Sequence, residues 1–165
     1  MNKGFNSAAN KAGVKPSCFV AGTLVMAVAG MVAIEKIKSG DKVISTDPET
    51  MKTSPKTVLE TYIREVTTLV HLTVNGEEIV TTVDHPFYVN SRGFVKAGEL
   101  AIGYELLDVN GNVLLVEKFN VELTDEPTTV YNFQVEDFHT YHVSGFGVLV
   151  HWCIMQSILQ RKCKK

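Results

Sequence analysis

The sequence predicts an all-β domain. Short runs in which β-branched or aromatic residues alternate with polar ones recur from Cys18 to Cys153, the period expected of half-buried strands. Gly, Asn, Asp and Pro turn chemistry separates these runs at short intervals, which leaves no room for long helices. The one helix-like stretch within this body, VKAGELAIGYEL, is enough for a single short turn.

Taken in chain order, the opening MNKGFNSAANKAGVKPS is small, polar and rich in Gly, Ala and Asn, and reads as a flexible lead-in over residues 1–17. The strand-like runs that follow are TLVMAV, KVISTD, KTVLETYI, LVHLTV, EIVTTV, PFYVN, NVLLVEKFNVEL, TTVYNFQVE, TYHV and GVLV. Turns are expected at Ala29-Gly30, Ser39-Gly40-Asp41, Asp47-Pro48, Asn75-Gly76, Ser91-Arg92-Gly93, Asn110-Gly111 and Ser144-Gly145. The two Asn-Gly pairs read as type I′ hairpin turns, whose central residues both need positive φ. Beyond Cys153, Ile154, Ile158 and Leu159 have helical spacing, as in a nascent helix or the start of a neighbouring module. No repeat of fixed period is present.

A chain of 165 residues fits one domain that can bury a core without staples. Hydrophobic and charged shares of 45% and 21% are those of a soluble globular protein. A net charge of −2 supplies no broad basic field, so nucleic acid is not the expected partner. The basic tail from Arg161 reads as a solvated end. No apolar run approaches the roughly 18–20 residues of a membrane span, and the N-terminal segment lacks the apolar stretch of a secretory signal. The reading is of a soluble monomer, in itself or as a piece of a longer protein. Cys18, Cys153 and Cys163 cannot all pair with one another, so at least one sulfur is left for chemistry.

Three stretches hold residues able to do chemistry. In PSCFVAGTLV, Cys18 lies where the lead-in enters the first strand. An ordinary thiol titrates near pH ~8.5, so attack at neutral pH needs a base or a positive neighbour. In EIVTTVDHPFYV, Thr82 and His85 stand three residues apart at a strand end, with Pro86 keeping the chain extended; alone, His85 reads as structural. In VYNFQVEDFHTYHVSGFGVLVHWC, His139, His142 and His151 cluster near Cys153. A zinc site built from Cys18, His85, His151 and Cys153 is the competing reading. Against it, His139 and His142 would face opposite sides of a regular strand, and there is no CxxC pair.

Together, and in this order, the three stretches resemble the blocks of the Hint superfamily, shared by inteins, bacterial intein-like and pretoxin Hint domains and the Hedgehog autoprocessing domain. Cys18 to Val25 resembles the first block, Thr82-Val-Asp-His85 the TxxH block and Val130 to Cys153 the closing block, without an inserted homing endonuclease. The resemblance implies a horseshoe of long curved antiparallel strands with pseudo-two-fold halves. It also divides the chain into flanks at 1–17 and 153–165 around a self-processing body at 18–152. Such a body fits a segment of a larger bacterial secreted or toxin-like protein.

The chemistry implied by the resemblance is an N-to-S acyl shift, in which Cys18 attacks the carbonyl of Ser17 and forms a thioester. His85, hydrogen-bonded to the Cys18 amide, would protonate the departing nitrogen, and Thr82 would orient the bond or help hold the oxyanion. The substrate is the protein's own flanking segment, the acyl acceptor is water, a small thiol or Cys153, and no cofactor or metal is required. Two positions depart from the family. Asn132 stands where an aspartate often helps activate the first cysteine, leaving His139 as a substitute. Trp152 stands where an asparagine between His151 and Cys153 would cyclise and cut the chain, so downstream release and complete splicing are expected to be blocked. The alternative is an inactive Hint-fold linker. Convergence of the termini also places Cys18 and Cys153 to form a disulfide, while Cys163 is the expected site of intermolecular oxidation.

Overall fold

The computed structural model describes residues 17–153. The lead-in up to residue 16, the helical spacing after Cys153 and the oxidation expected at Cys163 lie outside the described residues. Within them the protein is built from β-strands and two single 3-10 turns, one of which, Ala97–Glu99, lies in the VKAGELAIGYEL stretch.

Twelve strands follow one another: β1 (Phe19–Val20), β2 (Leu24–Ala27), β3 (Gly30–Ala33), β4 (Lys42–Thr46), β5 (Thr53–Val74), β6 (Glu77–Thr81), β7 (Pro86–Val89), β8 (Gly93–Lys96), β9 (Glu105–Leu107), β10 (Val113–Val135), β11 (Thr140–Val143) and β12 (Val148–His151). All pairings are antiparallel. The order β11-β12-β7-β9-β10-β1-β6-β5-β4-β2-β3 closes on itself, because β11 also pairs β2 and β10 also pairs β5.

Two pairs of the sequence runs prove to be continuous. KTVLETYI and LVHLTV form the single 22-residue β5, and NVLLVEKFNVEL and TTVYNFQVE form the 23-residue β10. No Gly breaks either strand, and the two pair with each other from Val116↔Val74 to Val135↔Val58, absorbing irregularities as register shifts. Both ends of this ladder enter the body of the fold; its middle is a ribbon with apolar residues as exposed as Leu123.

The turns follow their residues with one exception. At Asn75-Gly76 both φ values are positive, 49° and 83°, as a type I′ turn requires. At Asn110-Gly111 only Gly111 is positive, because the Asp108 carboxylate captures the amides of Asn110 and Asn112 at 2.8 and 2.9 Å and replaces the hairpin turn by an Asx-type turn. The core spreads from Phe19, Val43 and Val70 to Phe87, Phe133, Tyr141 and Val150, with Trp152 and Cys153 at its margin. Cys18, Leu69 and Val130 form a second small cluster.

Candidate functional site

β1 is only two residues long and runs between β6 and β10, with Phe19 opposite both Thr81 and Tyr131. This central position clamps the backbone of Cys18. Its carbonyl accepts from the Thr82 amide and the Thr81 hydroxyl, each at 2.9 Å. Its amide donates to Thr82 Oγ1 at 3.0 Å. The Thr82 hydroxyl in turn donates to Asp84 Oδ1 at 2.8 Å.

This arrangement corrects the expected roles of the TxxH residues. The Cys18 amide donates to Thr82, not to His85. Because the Thr82 proton is committed to Asp84, Thr82 orients the bond as an acceptor and has no proton left for an oxyanion. His85 is wholly buried, and neither ring nitrogen has a partner at hydrogen-bond geometry. Its ring lies 4.1 Å from that of Phe19. Burial holds its pKa well below the ordinary value and the nearby His151 adds to this, while the backbones of Ser17 and His151 oppose the shift. The ring is therefore neutral at pH 7 and faces the Ser17 side of the upstream bond.

Burial also pushes the Cys18 thiol up to about 12, against the pull of the Arg64 guanidinium and with a further push from Asp84. The expected Cys18–Cys153 disulfide is not formed. Cys18 keeps its thiol and Cys153 is disulfide-bonded elsewhere, consistent with their packing in different clusters. A disulfide-bonded Cys153 cannot be a thiolate ligand, and among the described residues no group of three His, Cys, Asp or Glu comes together that could hold a metal. The zinc set proposed from the sequence is not assembled.

The downstream junction meets the upstream one, as the sequence led us to expect. Ser17 Oγ lies 3.4 Å from the carbonyl oxygen of Trp152. That oxygen also accepts from Asn132 Nδ2 at 2.6 Å. Asn132 therefore holds the carbonyl of the downstream bond. Its contact toward Cys18 runs through Tyr141, whose hydroxyl donates to Asn132 Oδ1 at 2.7 Å; Cys18 is among the causes that raise the tyrosine's pKa, after burial.

His139, expected as a substitute base for Cys18, makes contacts at the downstream end. Its φ of 61°, rare for a residue with a Cβ, turns its carbonyl to accept the Trp152 amide at 2.9 Å. Its Nδ1 accepts the Trp152 indole proton at 3.2 Å. The indole is buried and stacks on Tyr62 with ring centroids 5.9 Å apart. His151 Nδ1 stands 3.1 Å from both the amide nitrogen and the carbonyl oxygen of Cys153. His142 is structural, wedged between Thr46 Oγ1 and the Gly147 carbonyl at 2.7 and 2.8 Å.

Sequence reasoning missed Asp84, Arg64 and Tyr141. Asp84 was within reach, since it lies inside the TxxH block two residues from the Thr82 it binds. Arg64 had no local signal: it is brought to Cys18 only by the pairing of β5 with β10, where it lies opposite Val130.

The pretoxin HINT domain family matches residues 24–153. A bacterial intein-like domain from Clostridium thermocellum, solved in solution, is 60% identical with a TM-score of 0.80, covering 81% of this chain and 97% of that one. A DnaB intein from Synechocystis sp. shares the fold at 17% identity and a TM-score of 0.70, covering 84% of this chain and 99% of that one. An uncharacterized protein of Methanocaldococcus jannaschii is 36% identical over 83 residues, 46% of this chain, and the match spans 12% of that protein's length. The chain belongs to the pretoxin HINT family and is a bacterial intein-like, self-processing domain of the Hint superfamily.

Proposed function

We propose that this domain acts once on its own backbone, forming a thioester at Ser17-Cys18, and that Trp152 blocks the matching release at Trp152-Cys153. In the upstream step the Cys18 sulfur bonds to the Ser17 carbonyl carbon, the Ser17-Cys18 C–N bond breaks, and the thiol proton ends on the Cys18 nitrogen. A neutral His85 serves both transfers: it takes the proton from sulfur and returns it to nitrogen. The observation that carries this reading is the clamp on Cys18, whose amide is fixed by Thr82 while a wholly buried imidazole lies against the backbone of the residue under attack. Holding the nucleophile against its own chain provides a large effective concentration.

Water or a small thiol then cleaves the thioester and releases the upstream segment. A cavity of about 290 Å³ lined by Arg64, Val66, Thr67, Thr68, Thr82, Val83 and Asp84 offers a route in beside Thr82. Cys153 cannot capture the acyl group while it is disulfide-bonded. At the downstream bond, indole has no amide nitrogen able to cyclise onto its own carbonyl, and the Tyr62 stack and the His139 hydrogen bond keep it in place. The test is mass spectrometry of fresh protein with and without a small thiol. A species beginning at Cys18, lost in Cys18→Ala, is expected; a chain that stays intact under both conditions leaves only the inactive linker.

A further inference from the structure

The oxygen of Trp152 is the oxygen on which negative charge would develop if the Trp152-Cys153 bond were attacked, and it already has two donors. Asn132 Nδ2 is 2.6 Å away and Ser17 Oγ 3.4 Å. The orientation of the Asn132 amide is dictated by its neighbours. Oδ1 accepts from the Phe133 amide at 2.8 Å and from the Tyr141 hydroxyl at 2.7 Å, so a flipped amide would set its NH2 against two other donors. Nδ2 must therefore face Trp152. Across the same peptide bond, His151 Nδ1 contacts the nitrogen that would leave. A neutral ring accepts from that N–H; a protonated one has its proton on Nδ1, at the departing atom.

We infer that Asn132 is an oxyanion-holding catalytic residue for the Trp152-Cys153 bond, so that the downstream junction keeps a preformed site and lacks only its nucleophile. This inference rests on the self-processing reading above. If Trp152→Asn supplies the nucleophile, the introduced side-chain nitrogen bonds to its own backbone carbonyl carbon and the bond to the Cys153 nitrogen breaks. The attacking nitrogen loses one proton and the leaving nitrogen gains one by way of His151. Asn132 would carry the charge on oxygen in between. One donor of this kind is worth about 10²–10³ in rate.

The chain has a single tryptophan, so [1-13C]tryptophan labelling places one carbonyl reporter on the bond in question. In Asn132→Ala its signal should move upfield, as for a carbonyl that has lost a short hydrogen bond, while the indole N–H signal stays near its wild-type position. In the Trp152→Asn background, mass spectrometry should show a fragment beginning at Cys153, and adding Asn132→Ala should slow its release by roughly 10²–10³-fold. Adding Asn132→Asp instead should slow release at pH 8 and restore it as pH falls, because only the protonated carboxyl can donate. An unmoved carbonyl signal, or release as fast with Asn132→Ala as without it, overturns the role of Asn132 and leaves the self-processing reading intact. A larger loss from Asn132→Ala at the upstream bond than at the downstream bond also overturns it. No release from Trp152→Asn at all removes Trp152 as the block, and the catalytic role of Asn132 with it.

Discussion

If His85 passes the proton from sulfur to nitrogen, the rate of upstream cleavage should not depend on pH between 7 and 10. Both groups are already in the required state across that range: the thiol titrates near 12 and the imidazole well below its ordinary 6.5. Removing His85 leaves only preformed thiolate as nucleophile. A thiol titrating four units above pH 8 is ionised in about one molecule in 10⁴. His85→Gln, which keeps the ring's approximate volume, should therefore cut the rate at pH 8 by about 10²–10⁴-fold, the usual worth of general acid-base catalysis. It should also convert the flat profile into one rising about tenfold per pH unit. The assay is release of the upstream segment followed by mass spectrometry, with the added dithiol adjusted to a constant thiolate concentration at each pH, and circular dichroism to confirm folding of the variant. A wild-type rate that climbs tenfold per unit from pH 7 to 10 would refute the shuttle, since thiolate would then be attacking without help.

Three further outcomes follow from the same contacts. His142 is depressed from 6.5 to about 4, mainly by burial; a lowered pKa gives stability that is present above 6.5 and lost as pH falls toward 4, so one such group removes about 3 kcal/mol across that window, measurable as a drop in urea midpoint between pH 7 and 4.5 that shrinks when His142 is replaced and keeps a remainder from the likewise depressed His85. Thr82→Val leaves the buried Cys18 amide without its acceptor and should destabilise by about 1–3 kcal/mol in thermal melts while slowing upstream release, whereas Thr82→Ser should preserve both; equal behaviour of the two variants would deny the hydroxyl its role. Native alkylation followed by peptide mapping should leave Cys153 unmodified until a phosphine reductant is added, and immediate labelling without reductant would contradict the disulfide.

Much of the fold was legible because strand chemistry is local. Alternation located the strands, and Asn75-Gly76 declared its turn through the φ values it tolerates. The length of β5 and β10 was not legible, since the continuity of a strand is settled by its partner: residues such as Leu59, Ile63 and Leu123 are exposed, and what holds their segments extended is the ladder between the two strands. The same limit explains the site. Cys18, Thr82, His85 and His151 stand at the two junctions because each is carried by its own strand end, which motif spacing reveals. The Trp152 carbonyl that Asn132 holds lies 20 residues away in sequence, and no spacing rule reports that.

On the proposed mechanism, burial keeps Cys18 and His85 unreactive at rest. A buried thiolate or imidazolium is expensive in a low-dielectric interior, so Cys18 and His85 rest as a neutral pair, and charge appears only while a proton is in transit. The charged groups that act on Cys18, Arg64 and Asp84, line the cavity instead of filling the core. Arg64 favours the thiolate from there. Asp84 does its work through the Thr82 hydroxyl, whose proton it holds, leaving the oxygen lone pair for the Cys18 amide. On this account the Asp84 side chain is a positioning group for the upstream bond: Asp84→Asn would offer an NH2 or a weaker acceptor to Thr82, loosen the grip on the Cys18 amide and slow thioester formation, while the downstream contacts of Asn132 and His151 stay as they are.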